Sequence, residues 1–147
     1  MRWLDTNIFL RYLAKPATEA DRIKHQANFG LFQRIRRGDE EVTTCEAVLT
    51  EIVYNLVSTR QYHLSHDEAA ALLRPLLTLR GLHLPHKRTY LRALDLFAVS
   101  PFLDIEDAVS VAHMERLGIR EILSYDTDFD RIHGVTRIEP PAQEEQQ

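Results

Sequence analysis

The 147-residue chain carries 18 Lys and Arg against 22 Asp and Glu, a net charge of −4, with 44% hydrophobic and 27% charged residues. That is enough apolar material for one domain with its own core, while the negative balance leaves any nucleic-acid contact to local basic patches or to bound cations. One cysteine, Cys45, excludes an intramolecular disulfide and points to a reducing cytoplasm; no zinc-type Cys/His spacing is present despite seven histidines. No stretch reaches the roughly 20 apolar residues that cross a bilayer, and Asp5 and Arg11 interrupt the first apolar run where a secretory leader would continue.

In chain order, residues 1–3 lead into a short strand with Asp5 at its carboxyl end, and Thr6 or Asn7 caps a helix through Ile8, Phe9 and Leu10. Ligands of open α/β sheets bind at that end of the strands, although an Asp there also reads as a cap alone. A near capping box, Thr18-Glu19-Ala20-Asp21, opens a second helix. Ile23, Ala27, Leu31 and Ile35 recur along it at spacing four and predict its core-facing stripe. The helix closes with Arg34, Arg36, Arg37 and Gly38; cations favour a helix C-terminus, and nucleic-acid contact is the alternative.

Residues 41–44 are β-branched enough for a strand. A helix over residues 46–60 follows, with Val48, Leu49, Ile52, Val53, Leu56 and Val57 as its apolar stripe. Glu51 and Asn55 share the border of that stripe, and on spacing alone Glu51 reads as a solvated acid. A second capping signature, Ser65-His66-Asp67-Glu68, opens a helix that Pro75 is expected to kink or end early. Residues 81–85 form a short strand. Lys87 and Arg88 begin a helix with apolar Leu91, Leu94, Phe97 and Ala98, ended by Ser100-Pro101. Residues 105–117 are a helix with Gly118 as its C-cap. Strands over 121–125 and 135–138 finish the domain at residue 139, and the Pro-, Glu- and Gln-rich tail of residues 140–147 is expected to be disordered. Short strands alternating with helices predict an α/β fold with a mostly parallel central sheet of four to five strands. No Gly-rich phosphate loop is present.

Two strands end in an aspartate, Asp5 and Asp126; as neighbours in a parallel sheet they would share one edge. Asp104 and Asp107, three residues apart at a helix start, share a face, and Asp107 lies with Ala108 and Val111 on an inward side, whereas Glu106 reads as solvated. An N-cap role is the plain alternative for Asp104. Clustered carboxylates repel unless a hard cation neutralises them, and Mg²⁺ or Mn²⁺ takes such oxygen ligands together with waters and substrate phosphates. That chemistry suits hydrolysis of a phosphodiester by a water the cation has made more acidic. Paired carboxylates also run glycoside hydrolysis, which a small domain with no aromatic-lined sugar cleft does not favour.

The stretches Leu4-Asp5-Thr6-Asn7, Leu49-Thr50-Glu51-Ile52-Val53-Tyr54, Leu103-Asp104-Ile105-Glu106-Asp107-Ala108 and Ser124-Tyr125-Asp126-Thr127-Asp128-Phe129 resemble, in order and spacing, the motifs of PIN-domain proteins, and within them those of VapC-type toxins of type II toxin–antitoxin modules. The resemblance implies a three-layer α/β/α sandwich, a metal-dependent endoribonuclease using Mg²⁺ or Mn²⁺, a homodimer, and inhibition by a VapB-like antitoxin. It promotes Glu51 to the site, making Asp5, Glu51, Asp107 and Asp126 an acidic quartet. Asp5 and Asp107 would be the main metal ligands, with Asp104 and Asp128 secondary, as a water-mediated ligand and a loop-positioning residue. Thr6 and Asn7 would orient Asp5 or a water. Arg60, Lys87, Arg88 and Arg92 are candidate RNA phosphate contacts, each with a solvated surface charge as its plain reading. The rival readings are another metal-dependent phosphate hydrolase with Asp5 as nucleophile, which would want a second acid where Asn7 stands, and a non-catalytic PIN-like interaction module.

Overall fold

The computed structural model describes residues 1–143; residues 144–147 of the expected disordered tail lie outside the described residues, and residues 140–143 are exposed and belong to no helix or strand. Strand β1 (Arg2–Trp3) leads into α1 (Thr6–Leu13) and α2 (Glu19–Arg37). Strand β2 (Val42–Thr43) precedes α3 (Glu46–Val57) and α4 (His66–Leu77); β3 (Leu82–His83) precedes α5 (Lys87–Val99) and α6 (Ile105–Leu117). Strand β4 (Glu121–Leu123), one 3₁₀ turn (Thr127–Arg131) and β5 (Thr136–Ile138) complete the α/β/α sandwich.

All strand pairs are parallel, as predicted, but they form two ladders, β1-β2-β3 and β4-β5. The strands that end in Asp5 and Asp126 are therefore not hydrogen-bonded neighbours. The Leu4 amide donates to Thr43 O and the Ser124 amide to Ile138 O, so each strand spends its groups on its own ladder. With two or three residues each, the strands make few ladder bonds. One buried cluster holds them together, in which Leu4, Val42 and Leu82 from the strands meet Leu49, Leu73, Tyr90, Phe97, Ile105 and Phe129.

Local chemistry accounts for most of the boundaries. Ser65 and Glu68 form a complete capping box, Thr18 accepts from the Asp21 amide, and Gly38 and Gly118 close α2 and α6 in the left-handed region. Three expectations need correction. Pro75 does not cut α4 short, because it stands in the last turn, where only two residues follow it. Helix α3 ends at Val57, which leaves Arg60 in the following turn. The buried side of α2 is Asn28, Phe32 and Ile35, while Ile23 and Phe29 are exposed. Tyr12 of α1 stacks on Phe32 and so turns that neighbouring face inward.

Gly81 fixes how β3 enters. Its amide donates to Ile35 O at 2.9 Å and its carbonyl accepts from the Val42 amide at 2.8 Å. A Cβ at this position would stand 2.1 Å from Glu40 O and 2.9 Å from Ile35 O. Both obstacles are backbone and cannot rotate away. Gly81→Ala is therefore expected to lower stability by about 1–3 kcal/mol, read as a fall in the urea midpoint; an unchanged midpoint would mean that β3 does not approach α2 this closely.

Candidate active site

Four aspartates meet where α6 begins and where the chain leaves β4. Asp104 is the N-cap residue of α6, yet its side chain makes no capping bond. Asp107 follows one turn inside, half-buried because Ile105, Ala108 and Val111 of the same helix are in the core. Burial pushes the Asp107 carboxyl above its ordinary value, and the charges of Asp104, Asp126, Glu106 and Asp128 push it the same way. Charge–charge effects fade over roughly 10 Å of salt solution, so these groups are its spatial neighbours. Asp126 caps the 3₁₀ turn: its carboxylate accepts from the Asp128 amide at 2.9 Å, and its own amide donates to Ser124 Oγ at 3.0 Å.

A second group forms where α1 meets α3. Asp5 is the N-cap residue of α1, exposed and without a capping bond from its side chain. Thr6, buried beside it, donates its hydroxyl to Glu51 Oε2 at 3.0 Å. The hydroxyl expected to cap α1 or to orient Asp5 thus orients Glu51, while Asn7 stays exposed in the first turn. Asn55 bonds to the backbone oxygen of Glu51, at 2.8 Å, and not to its carboxylate. Glu51 lines an open groove of about 500 Å³ together with Glu46, Thr50, Tyr54, Glu106 and Val109. Glu106, read from the sequence as merely solvated, therefore borders the same groove as Glu51; its position beside the inward face of α6 gave no signal of that.

Asp104, Asp126 and Asp128 are among the charges that raise the Asp107 pKa, and Asp5 and Glu51 meet at the α1–α3 junction through Thr6. Among the described residues, no three Asp, Glu, His or Cys groups stand close enough, as placed, to hold an ion. The donor set nevertheless fits a hard divalent cation. All six acids offer only oxygen, and none of them pairs with Lys, Arg or His among the described residues, whereas Asp21, Glu40, Asp95, Glu115 and Asp130 do.

The four basic candidates separate as well. Arg92 is held by Glu115 through two bonds of 2.8 and 3.0 Å. The Lys87 ammonium donates to Leu82 O, and its burial lowers its pKa. Arg60 and Arg88 are exposed.

Strands of one direction, joined through helices, bring carboxylates unpaired among the described residues to the helix starts that follow them. The chain belongs to the PIN domain family, whose model matches residues 3–135. Proteins of that family are in general nucleases that use divalent metals. No curated protein matches this sequence significantly.

The raised pKa of Asp107 has a definite sign for stability. The folded chain holds this proton more tightly than the unfolded chain, whose carboxyl titrates near 3.8. The associated stability is complete below that value and is lost as the pH rises through the higher folded pKa. In thermal melts without divalent ions between about pH 4 and pH 7, Asp107→Asn is expected to remove part of this decline and to raise the Tm at the upper end. Mg²⁺ or Mn²⁺ should raise the Tm of the natural chain more than that of the variant. A variant that follows the natural chain in both respects would place Asp107 outside a charge cluster.

Proposed function

We propose that this chain is a Mg²⁺- or Mn²⁺-dependent endoribonuclease and the toxin of a two-gene module, working in the cytoplasm as a homodimer and held in check by a VapB-like antitoxin. The observation that carries the reading is Asp107: a half-buried carboxylate near three other aspartates, none of them ion-paired among the described residues. Such an arrangement costs stability and is retained where function needs it. The four motifs that resemble VapC-type toxins support the finer assignment.

In this reading Asp5 and Asp107 would hold the cation, and Glu51 and Asp126 would complete the site directly or through water. When bound, the cation supplies charge neutralisation for the phosphate and a more acidic water. The chain's own contribution is positional. The Thr6 hydroxyl fixes the Glu51 carboxylate, the Asp128 amide fixes that of Asp126, and the core beneath Ala108 and Val111 fixes Asp107. Asp104 would be a further ligand through water, and Asp128 positions the loop through its amide bond to Asp126. Arg60 and Arg88, exposed, are the stronger phosphate contacts; Lys87 and Arg92 are already engaged within the chain.

The test is cleavage of a mixed RNA pool with and without Mg²⁺ or Mn²⁺, with a phosphomonoester as control. Asp5→Asn and Asp107→Asn are each expected to reduce RNA cleavage by about a hundredfold or more, the scale of losing several kcal/mol of charge stabilisation, while leaving the fold intact. Glu51→Gln should cost far more activity than Glu46→Gln, whose carboxylate instead meets His113 at 2.8 Å. Wild-type rates in the Asp variants would remove the site. Phosphomonoester turnover without RNA cleavage would favour the general phosphate hydrolase, and inertness toward both would favour the interaction module. Inhibition by an adjacent antitoxin should weaken with Asp107→Asn if a basic antitoxin side chain reaches the acids.

A further inference from the structure

A second cleft opens between α1, the start of α2 and the turn after α3. It has a volume of about 310 Å³ and is lined by Asn7, Arg11, Lys15, His25 and Tyr62 among others. That is the small end of the range for bound ligands, roughly 300–1,000 Å³, and suits one nucleotide better than a folded partner. Asn7 ties the cleft to the candidate active site, because it stands in the first turn of α1 two residues after Asp5.

The lining offers the chemistry by which unpaired nucleotides are held. Tyr62 presents a ring that is 39% exposed, and single-stranded RNA is bound by stacking its bases on such rings beside cationic groups that track the phosphates. The turn that carries Tyr62 is pre-organised: the Gln61 and His63 amides donate to Ser58 O at 3.1 and 2.9 Å, and the Leu64 amide donates to Leu56 O at 2.9 Å. Arg60 lies in the same turn and is exposed. Across the cleft, Lys15 pairs with no acid among the described residues, while Arg11 is offset by Asp21 at 3.2 Å. His25 donates Nδ1–H to Arg11 O at 2.9 Å, which leaves Nε2 of the neutral ring as an acceptor for a base N–H or a 2′-hydroxyl.

We propose that this cleft is a nucleotide subsite for the substrate RNA. In it an unpaired base beside the scissile phosphate stacks on Tyr62, Asn7 and His25 read its edge and ribose, and Lys15 and Arg60 hold the flanking phosphates. The subsite rests on the ribonuclease reading, and it makes the substrate single-stranded or looped RNA in which a base can be splayed out.

The experiment uses the full chain and a fluorescein-labelled single-stranded RNA of mixed sequence. Binding is measured in EDTA, cleavage in Mn²⁺, and folding of each variant by circular dichroism. Tyr62→Ala is expected to weaken RNA binding by about fivefold or more, the loss of one stacked base, whereas Tyr62→Phe keeps the ring and binds like the natural chain. In cleavage the loss should appear in KM with kcat little changed, as for an interaction present equally before and during reaction. Lys15→Gln should lower the slope of log affinity against log salt by about 0.7, one single-strand phosphate contact. If Tyr62→Ala and Lys15→Gln bind and cleave like the natural chain while Asp107→Asn is inactive, the subsite is overturned and the nuclease reading stands. If the natural chain neither binds nor cuts RNA, both fall.

Discussion

Asp107 is a carboxylate that the fold pulls toward the core and then surrounds with its own kind. Ile105, Ala108 and Val111 must be buried for α6 to pack, and helical spacing carries residue 107 inward with them. Each fully buried Leu or Phe of that region contributes roughly 1.5–3 kcal/mol. Two partly solvated charges about 4 Å apart oppose each other by about 1–4 kcal/mol, depending on how much water screens them. Packing therefore wins comfortably, and the repulsion survives as a local deficit. Every other property of the site follows from that imbalance: the raised pKa of Asp107, the unused capping capacity of Asp104, and the suitability of the cluster for a divalent cation.

The short strands put a further constraint on the site. Strands of two and three residues cannot set distances across a sheet by their ladders, and the two ladders here share no hydrogen bond among the described residues. The separation between Asp5 and Asp126 is set instead by side chains in the common core, with Leu4 just before Asp5 and Phe129 just after Asp126 and Asp128. Within each half the positions are fixed by single hydrogen bonds, Thr6 to Glu51 and the Asp128 amide to Asp126.

Much of this was legible in the sequence because the relevant signals are local. Capping at Ser65, left-handed glycines at positions 38 and 118, and the inward placing of Asp107 depend on neighbours within one turn. What was not legible depends on partners far along the chain. The Thr6 hydroxyl finds Glu51 45 residues away, and nothing near Thr6 distinguishes that from a cap. Ile35 of the expected α2 stripe is buried and Leu31 packs on the core, but toward its start Ile23 and Ala27 are exposed and Asn28 is buried instead, because Tyr12 and Phe32 set which face turns inward. Arg92 looks like any surface cation until Glu115, on the next helix, takes two of its three guanidinium nitrogens.

That last contact bears on how an acidic chain meets an acidic substrate. With a net charge of −4, attraction to RNA must come from cations that are not already spent inside the protein. Arg74, Arg92 and Arg137 are each committed to a carboxylate, so large parts of the surface present neutralised pairs. On the proposed ribonuclease reading, an approaching RNA strand would be repelled by the acids unless a divalent ion neutralised them, and attracted at exposed basic positions such as Arg60 and Arg88. Binding would then couple to the metal, because a cation in the acidic cluster would also remove the charge that keeps the phosphate away. A net negative charge and a polyanionic substrate are compatible on that condition, and the same condition makes affinity for RNA rise with divalent ion even where no bond is cut.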